Sequence, residues 1–213
     1  MRRGYAASAE GPITIDLGLF TQDGWIKVQA QADCTTAMIG LSTPEDDGPS
    51  ATAVRDAVVE SGPEGQLICT VHGAKGEAPV EITVVAPPGS TLIARTDNAH
   101  IGAAGLIDVQ LTTASGDVFV PVAGRVFAET ASGKVTVQQA GDVVVRTTSG
   151  DIVLNAVSGG ITAKSSSGDI AIHATADGVV QAGTVSGDVT VTAAQGTNLS
   201  LTTSTVTGQV TTP

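Results

Sequence analysis

The chain repeats the hexapeptide Ser115-Gly116-Asp117-Val118-Phe119-Val120 four more times before Thr192. The later copies are Ser132-Gly133-Lys134-Val135-Thr136-Val137, Ser149-Gly150-Asp151-Ile152-Val153-Leu154, Ser167-Gly168-Asp169-Ile170-Ala171-Ile172 and Ser186-Gly187-Asp188-Val189-Thr190-Val191. Successive serines are 17, 17, 18 and 19 residues apart. A fixed period of this length is typical of solenoids, in which each repeat forms one coil stacked on the next.

Each period divides into two short strands. A second glycine lies midway through each one, at Gly124, Gly141, Gly159, Gly178 and Gly196. Aliphatic residues or alanine follow nearly every glycine at the second and fourth positions, and such alternation between Gly, Ser and Asp predicts half-buried strands joined by tight turns. We therefore predict an all-β protein, built mainly as a short parallel β-solenoid with two strands in each coil of 17–19 residues.

Two sets of repeated positions hold the predicted coils together. The inward ladder consists of Val118, Val135, Ile152, Ile170 and Val189, and the turns use Gly116, Gly133, Gly150, Gly168 and Gly187. Glycine is expected at these turns because it adopts the positive φ that tight turns require. Each inward side chain contributes roughly 1.5–3 kcal/mol, and ordering each residue costs about 1–2 kcal/mol. A single coil therefore cannot be stable, and stacking is needed to bury both of its sides.

A column of hydroxyl side chains precedes the turns, in phase with the inward ladder. It consists of Thr130, Thr147, Ser165, Thr184 and Thr203. We predict that these hydroxyls form hydrogen bonds with one another or with neighbouring backbone groups.

The repeats and the segment before them carry a resemblance to a known family. The repeat Thr-Ala-Ser-Gly-Asp-Val returns as Thr-Thr-Ser-Gly-Asp-Ile, and residues 84–96 read VVAPPGSTLIART. Over roughly residues 80–210 the chain resembles the DUF4097 group of adhesin-like β-solenoid proteins of bacteria. The resemblance implies a β-solenoid architecture and suggests an adhesin-like use of its surface.

Charge and hydropathy restrict the classes of partner. The 213 residues include 21 acidic and 10 basic side chains, giving a formal net charge of −11. No Lys/Arg stripe exists that could follow phosphates, so we expect no nucleic-acid partner. No apolar run approaches the roughly 18 residues of a membrane span, so we expect no membrane insertion. The residues after Met1-Arg2-Arg3 do not resemble a Sec signal, which favours the cytoplasm or a larger assembly such as a virion.

Three segments are predicted along the chain. Residues 1–11 are expected to be a flexible arm, residues 12–95 an N-terminal β unit that caps the solenoid, and residues 96–213 the solenoid repeats. The N-terminal unit is predicted to be small and mostly antiparallel, with a hairpin turn at Gln22-Asp23-Gly24 and a loop over residues 73–78. One short helix is predicted over residues 50–60, capped by Ser50. A cap of this kind would protect the exposed edge of the first coil.

The aspartates in the repeats are the candidate metal ligands. Asp117, Asp151, Asp169 and Asp188 occupy equivalent positions, with Lys134 interrupting the column. Stacked carboxylates repel one another, and a calcium ion could relieve that repulsion. Calcium-binding solenoids, however, use Gly-Gly-x-Gly-x-Asp turns, which this chain lacks. We therefore favour turn-forming aspartates and expect no cofactor.

The two cysteines, Cys34 and Cys69, leave two states open. They are either two reduced, buried thiols or a disulfide between strands. The chain has no Cys-x-x-Cys motif that would indicate zinc.

The sequence offers little for catalysis. The histidines His72, His100 and His173 lie far apart, and no nucleophile elbow, phosphate loop or His-Glu-x-x-His motif occurs. Asp142 and Arg146 are predicted to form a surface ion pair. The aromatic residues Tyr5, Trp25 and Phe119 are not expected to form a platform that stacks sugars. We therefore predict a non-enzyme.

Three functional hypotheses follow, in decreasing order of support. The first is a structural or interaction module that presents a Thr/Ser/Asp-rich surface to a protein or glycan partner. The second is a subunit of a repeating assembly, either a virion accessory or decoration protein or a bactofilin-like filament, which self-associates through the solenoid end or the N-terminal unit. The third, a remote one, is a carbohydrate-active β-helix enzyme.

Overall fold

The computed structural model describes residues 1–21, 23–62, 65–73 and 78–213, apart from the side chains of Ser8 and Ala9. These residues form strands and a single helix, α1 (Pro49–Asp56). The strands are β1 (Arg2–Glu10), β2 (Thr14–Phe20), β3 (Gly24–Ala30), β4 (Thr36–Ser42), β5 (Val58–Ser61), β6 (Leu67–His72), β7 (Val80–Ala86), β8 (Thr91–Thr96), β9 (His100–Thr113), β10 (Val118–Thr130), β11 (Val135–Thr147), β12 (Ile152–Val157), β13 (Ile161–Lys164), β14 (Ile170–Ala174), β15 (Gly178–Gly183), β16 (Val189–Ala193), β17 (Leu199–Ser204) and β18 (Val210–Thr211). The predicted all-β class is confirmed.

The strands form two sheets, a front sheet and a back sheet, on opposite faces of the stacked coils. The front sheet has the order β1-β4-β7-β3-β9-β10-β11-β12-β14-β16-β18. The back sheet has the order β5-β6-β2-β8-β9-β10-β11-β13-β15-β17. From β9 onward every pairing is parallel, which confirms the predicted parallel β-solenoid, and about six turns are present.

The first coils differ from the predicted two strands per coil. The long strands β9, β10 and β11 each run through both sheets, and Gly124 and Gly141 lie inside β10 and β11 rather than in turns. From β12 onward each coil has two separate strands, as predicted. Glycine at the bend thus allows the chain to change sheets without ending its strand pairing.

The core is a column of aliphatic side chains between the two sheets. The inward ladder pairs in register from one coil to the next and is at most 1% exposed, at Val118, Val135, Ile152, Ile170 and Val189. Neighbouring inward positions such as Val137 and Leu154 are also buried. Because the sheets are close together, only small and medium side chains fit between them.

The N-terminal strands correct the prediction of a mostly antiparallel unit. Strand β2 pairs in parallel with β6 and β8, and β3 pairs in parallel with β7 and β9. The antiparallel pairs are β1–β4, β4–β7 and β5–β6. Strands β2 and β3 are therefore successive strands on opposite faces and not a hairpin. Alternation of apolar residues predicted both strands but could not distinguish these two arrangements.

Two parts of the predicted loops lie outside the described residues. They are Gln22 of the predicted turn and residues 74–77 of the predicted loop over residues 73–78.

The N-terminal segment forms a strand where a flexible arm was predicted. Residues Arg2–Glu10 form β1 and pair with β4, and Arg3 donates hydrogen bonds to the carbonyls of Val54 and Arg55 at the end of α1. Because this segment consists largely of glycine, alanine and arginine, it shows no apolar alternation. The sequence pattern therefore did not predict the strand. The boundary at residue 95 stays a prediction: it falls inside β8, which pairs along its whole length with β9.

The helix is shorter than predicted, and its N-cap is Gly48 instead of Ser50. Ser50 instead donates its hydroxyl proton to the carbonyl of Ala78, at 2.7 Å. Among the described residues, no helix has both the length and the apolar character needed to cross a membrane.

Candidate functional site

The aspartate column joins successive coils. Asp151 Oδ1 accepts a hydrogen bond from the backbone N–H of Asp169 at 3.1 Å, and Asp169 Oδ1 accepts one from Asp188 at 2.8 Å. In the same way, Asp117 Oδ1 accepts the backbone N–H of Lys134, and Asp188 Oδ1 accepts that of Gln209. Among the residues that the structure describes, no group of three or more His, Cys, Asp or Glu side chains could hold a metal ion. The carboxylates thus satisfy backbone donors at the turns.

The turn glycines fall into two groups. Gly168 and Gly187 have a φ of +149° and +141°, the positive region that the sequence predicted. Gly116, Gly133 and Gly150 have no such φ, and a Cβ on any of them would overlap a carbonyl oxygen of the preceding coil. These three positions require glycine because the backbones of successive coils approach closely there. The predicted reason, a positive φ, is therefore wrong for these three glycines.

Some side chains of the hydroxyl column form hydrogen bonds with backbone groups, and others form none. Thr113 Oγ1, one coil before the predicted column, accepts the N–H of Gly116 at 2.9 Å, and Thr184 donates to the carbonyl of Ser186 at 3.2 Å. Among the residues that the structure describes, the buried hydroxyls of Thr130 and Thr147 have no hydrogen-bond partner.

This difference predicts opposite effects for two similar substitutions. Thr147→Val removes a buried hydroxyl that bonds to nothing, so the free energy of unfolding should change by less than about 0.5 kcal/mol or increase. Thr113→Val leaves the buried N–H of Gly116 without its acceptor and should cost about 1–3 kcal/mol. Urea unfolding followed by circular dichroism measures both values. An equal loss in the two variants would contradict this account of the column.

The outer surface of the front sheet carries a candidate binding site at its N-terminal half. Across β1, β4, β7, β3, β9 and β10 the outward residues form rows that run perpendicular to the strands. The middle row, paired in register, is Gly4, Gly40, Thr83, Lys27, Gly102 and Phe119. The row spans about 24 Å, since neighbouring strands lie about 4.8 Å apart.

Larger side chains flank this row on both sides. One side has Arg2, Ser42, Glu81, Trp25 and His100, and the other has Ala6, Met38, Val85, Gln29 and Ala104. Three hollows of about 450, 340 and 250 Å³ adjoin one another along these rows. We call the three rows and their hollows the trough.

Two aromatic side chains stand exposed in the trough. Trp25 and Phe119 are 44% and 43% exposed, and Gly102 lies between the strands that carry them. The Trp25 ring packs on the His100 imidazole with centroids 4.5 Å apart, and His100 Nδ1 accepts the N–H of Asp117 at 3.0 Å. This hydrogen bond fixes the imidazole and with it the indole above.

The structure places two of the three aromatic residues that the sequence offered on one face of the front sheet. Trp25 and Phe119 share this face because β3 and β10 both pair with β9, a pairing between distant segments that the sequence does not reveal. Tyr5 does not join them: it lies on the other side of β1, where the Arg3 guanidinium is 5.1 Å from its ring.

The back sheet has a larger hollow of about 640 Å³ around Ile93, Phe127 and Val144. Two of its three charged groups are already paired, since the Arg125 guanidinium donates two hydrogen bonds to Asp108, which raise the pKa of Arg125. The predicted pair Asp142–Arg146 is not formed.

The two members of that predicted pair have other partners. Arg146 pairs with Glu129 at 3.1 Å, and Asp142 accepts the N–H of Gly160 at 2.8 Å. Both partners lie on adjacent coils, so the parallel register, and not spacing along one strand, selects them.

The cysteines are both free thiols, so the disulfide alternative is not realised. Burial raises the pKa of the Cys69 thiol to about 12, which leaves it protonated and unreactive at neutral pH. Cys34 donates its thiol proton to the carbonyl of Thr36 at 3.2 Å.

Comparison with known proteins agrees with this architecture. The sequence profile of the Toastrack DUF4097 family matches residues 69–213. The chain belongs to this family. The matched region begins at residue 69, inside β6. It therefore includes some of the N-terminal strands and all the coils of the solenoid.

Two solved structures share the fold over the whole chain. A candidate adhesin from Bacteroides fragilis NCTC 9343 is 18% identical with a TM-score of 0.61, and the alignment covers 100% of this chain and 97% of that one. A candidate adhesin from Parabacteroides merdae ATCC 43184 is 12% identical with a TM-score of 0.52, covering 100% and 96%. Comparison with curated proteins gives no match.

Proposed function

We propose that this Toastrack protein is a non-enzymatic, adhesin-like module that binds an extended partner in the trough. The observation that carries the proposal is the pair of exposed aromatic side chains, Trp25 and Phe119, held on one rigid sheet. The naming of two proteins of the same fold as candidate adhesins supports it.

Aromatic surface that a folded protein leaves in contact with water costs free energy. The chain has only 2% aromatic residues, yet its single tryptophan and one of its three phenylalanines face solvent on the same sheet. Exposed apolar groups rimmed by polar residues mark interaction sites, because covering them releases water. The sheet already fixes both side chains, so little conformational entropy is lost on binding.

The histidines in the described residues support the absence of catalysis. His72 stacks on Phe20, His100 supports Trp25, and His173 Nδ1 lies 2.9 Å from Thr192 Oγ1. Each has a different neighbour. His100 Nδ1 lies 3.8 Å from Asp117 Oδ2, but it already accepts the N–H of Asp117, so this nitrogen has no free lone pair with which to act as a base.

A binding assay on cell surfaces tests the proposal. Fluorescently labelled protein should bind saturably to fixed bacterial or host cells, and the double variant Trp25→Ala/Phe119→Ala should lose at least about tenfold in affinity, since each aromatic contributes about 0.5–1.5 kcal/mol beyond area burial. Phe127→Ala, an aromatic truncation on the back sheet, is the matched control and should bind like the wild type. Binding that the double variant retains in full would refute a role for the trough.

Light scattering over a concentration series distinguishes the remaining alternative. A constant monomer mass is expected. The measured mass could instead grow with concentration in the wild type and stay constant in the Phe119→Ala variant. That result would make a second copy of the chain the occupant of the trough.

A further inference from the structure

We propose that the partner is an uncharged polysaccharide chain, which crosses the strands along the trough and stacks pyranose rings on Trp25 and Phe119. This inference rests on the proposed function, because it names the chemistry of the partner that the trough binds. Four features of the trough favour this occupant over a peptide or a charged polymer.

The first feature is the placement of the two aromatic rings. Trp25 pairs with His100 on β9, and Phe119 pairs with Gly102 two residues further along the same strand. Strands β3 and β10 are therefore two spacings apart, about 9.6 Å. A pyranose ring has an apolar face of C–H groups and a rim of hydroxyls, so its face packs on an aromatic ring while the hydroxyls stay in contact with polar groups. Two sugars of one chain that are separated by an intervening sugar can thus occupy the two rings.

The second feature is a floor of glycines that the fold does not require. A Cβ on Gly102 would meet only the Ile26 carbonyl oxygen, at 3.9 Å, and for Gly4 and Gly40 the nearest atoms are at 3.8 and 4.0 Å. None of the three has a positive φ. Glycine inside a strand costs roughly 0.5–1 kcal/mol relative to alanine. A strand glycine without a packing reason is one sign that a ligand approaches the backbone closely.

The third feature is the charge of the trough. Lys27 forms an ion pair with Glu81, so these two charges in the trough neutralise each other. The whole chain carries a net charge of −11, which repels polyanions. An uncharged chain is not repelled by this net charge, and the side chains of Ser42, Thr83 and Gln29 supply hydrogen-bonding groups for sugar hydroxyls.

The fourth feature is that the four inner strands under the trough have no free backbone groups to offer, and only β1 lies at the edge of the sheet. Strands β4, β7, β3 and β9 each have a hydrogen-bonded neighbour on both sides in the front sheet. An extended peptide binds most often by adding a strand at a sheet edge, because its own N–H and C=O groups need partners. A polysaccharide has no such backbone requirement and can lie across the face of a sheet.

Intrinsic fluorescence gives a direct test, because Trp25 is the single tryptophan of the chain. Hexamers of β-1,4-linked glucose, α-1,4-linked glucose and β-1,4-linked N-acetylglucosamine, together with dextran, serve as uncharged probes at millimolar concentration. We expect at least one of them to shift the Trp25 emission to shorter wavelength in a saturable manner. Polygalacturonate and a proline-rich peptide are the charged-glycan and peptide probes.

Two variants locate the binding. Phe119→Ala should weaken it roughly tenfold. Gly102→Val, which fills the floor where a Cβ is accommodated, should abolish it while the circular dichroism spectrum and the Trp25 emission of the free protein remain those of the wild type. Phe127→Ala should leave it unchanged. Binding that is equal in all variants would overturn the assignment to the trough.

The outcomes separate this inference from the proposed function. If the peptide or polygalacturonate alone shifts the Trp25 emission, and Phe119→Ala weakens that effect, the trough binds a partner but the uncharged polysaccharide is wrong. If no uncharged probe binds while the cell-surface assay still depends on Trp25 and Phe119, the inference is again wrong and the proposed function stands. Failure of the cell-surface assay together with all probes would overturn both.

Discussion

Replacing Ile152 with aspartate is expected to unfold the solenoid at room temperature. Ile152 is fully buried and pairs with Val135 on one side and Ile170 on the other, in the middle of the inward ladder. A carboxylate there has no partner, so burying it costs several kcal/mol, a large part of the roughly 5–15 kcal/mol that stabilises a typical domain. Circular dichroism at 25 °C and thermal unfolding should show loss of the strand signal or a strongly lowered Tm.

The neighbouring residue provides a matched control. Val153 is next in the chain but lies on the outward side of β12, where it is only half-buried. Val153→Thr should change the free energy of unfolding by no more than about 0.5 kcal/mol, because surface changes away from the core have small effects. Equal tolerance of both substitutions would contradict the inward and outward assignment of the whole ladder.

The sequence predicts this ladder well because the repeat defines the register. Each Ser-Gly-Asp or Ser-Gly-Lys turn fixes the phase of the strand that follows it, so Val135, Ile152 and Ile170 must fall on one line if the coils stack. The structure has the same line, with these residues paired directly from coil to coil. Periodicity is local information, and stacking of equal repeats converts it into tertiary structure.

The N-terminal half lacks this advantage. Strands β2 and β3 alternate apolar and polar residues as clearly as any repeat, but no equal spacing shows which strands become their neighbours. Their partners β6, β7, β8 and β9 follow many residues later. The trough depends on those distant pairings, so Trp25, Gly102 and Phe119 could not be grouped from the sequence.

A methyl group at Gly150 is expected to have the second large effect on stability. Its Cβ would overlap the carbonyl oxygen of Gly133 in the preceding coil and lie 3.0 Å from Thr147 Oγ1. The turn cannot move away easily, because the N–H groups of Ser149 and Ile152 are bound to carbonyls of adjacent coils at 2.8 and 2.9 Å. Gly150→Ala should therefore cost about 3 kcal/mol, the upper end for overpacking, as measured by urea unfolding.

The same substitution elsewhere on the protein separates this cause from the general effect of replacing glycine. Gly40→Ala introduces a Cβ whose nearest neighbour is the Thr83 carbonyl oxygen at 4.0 Å, so it should be neutral or stabilising by up to about 1 kcal/mol. Both variants reduce the entropy of the unfolded chain equally, so their difference reports the close approach of coils at the turn. Equal stability of Gly150→Ala and Gly40→Ala would contradict this account. It would mean that the turns of neighbouring coils are farther apart than their stacked strands allow.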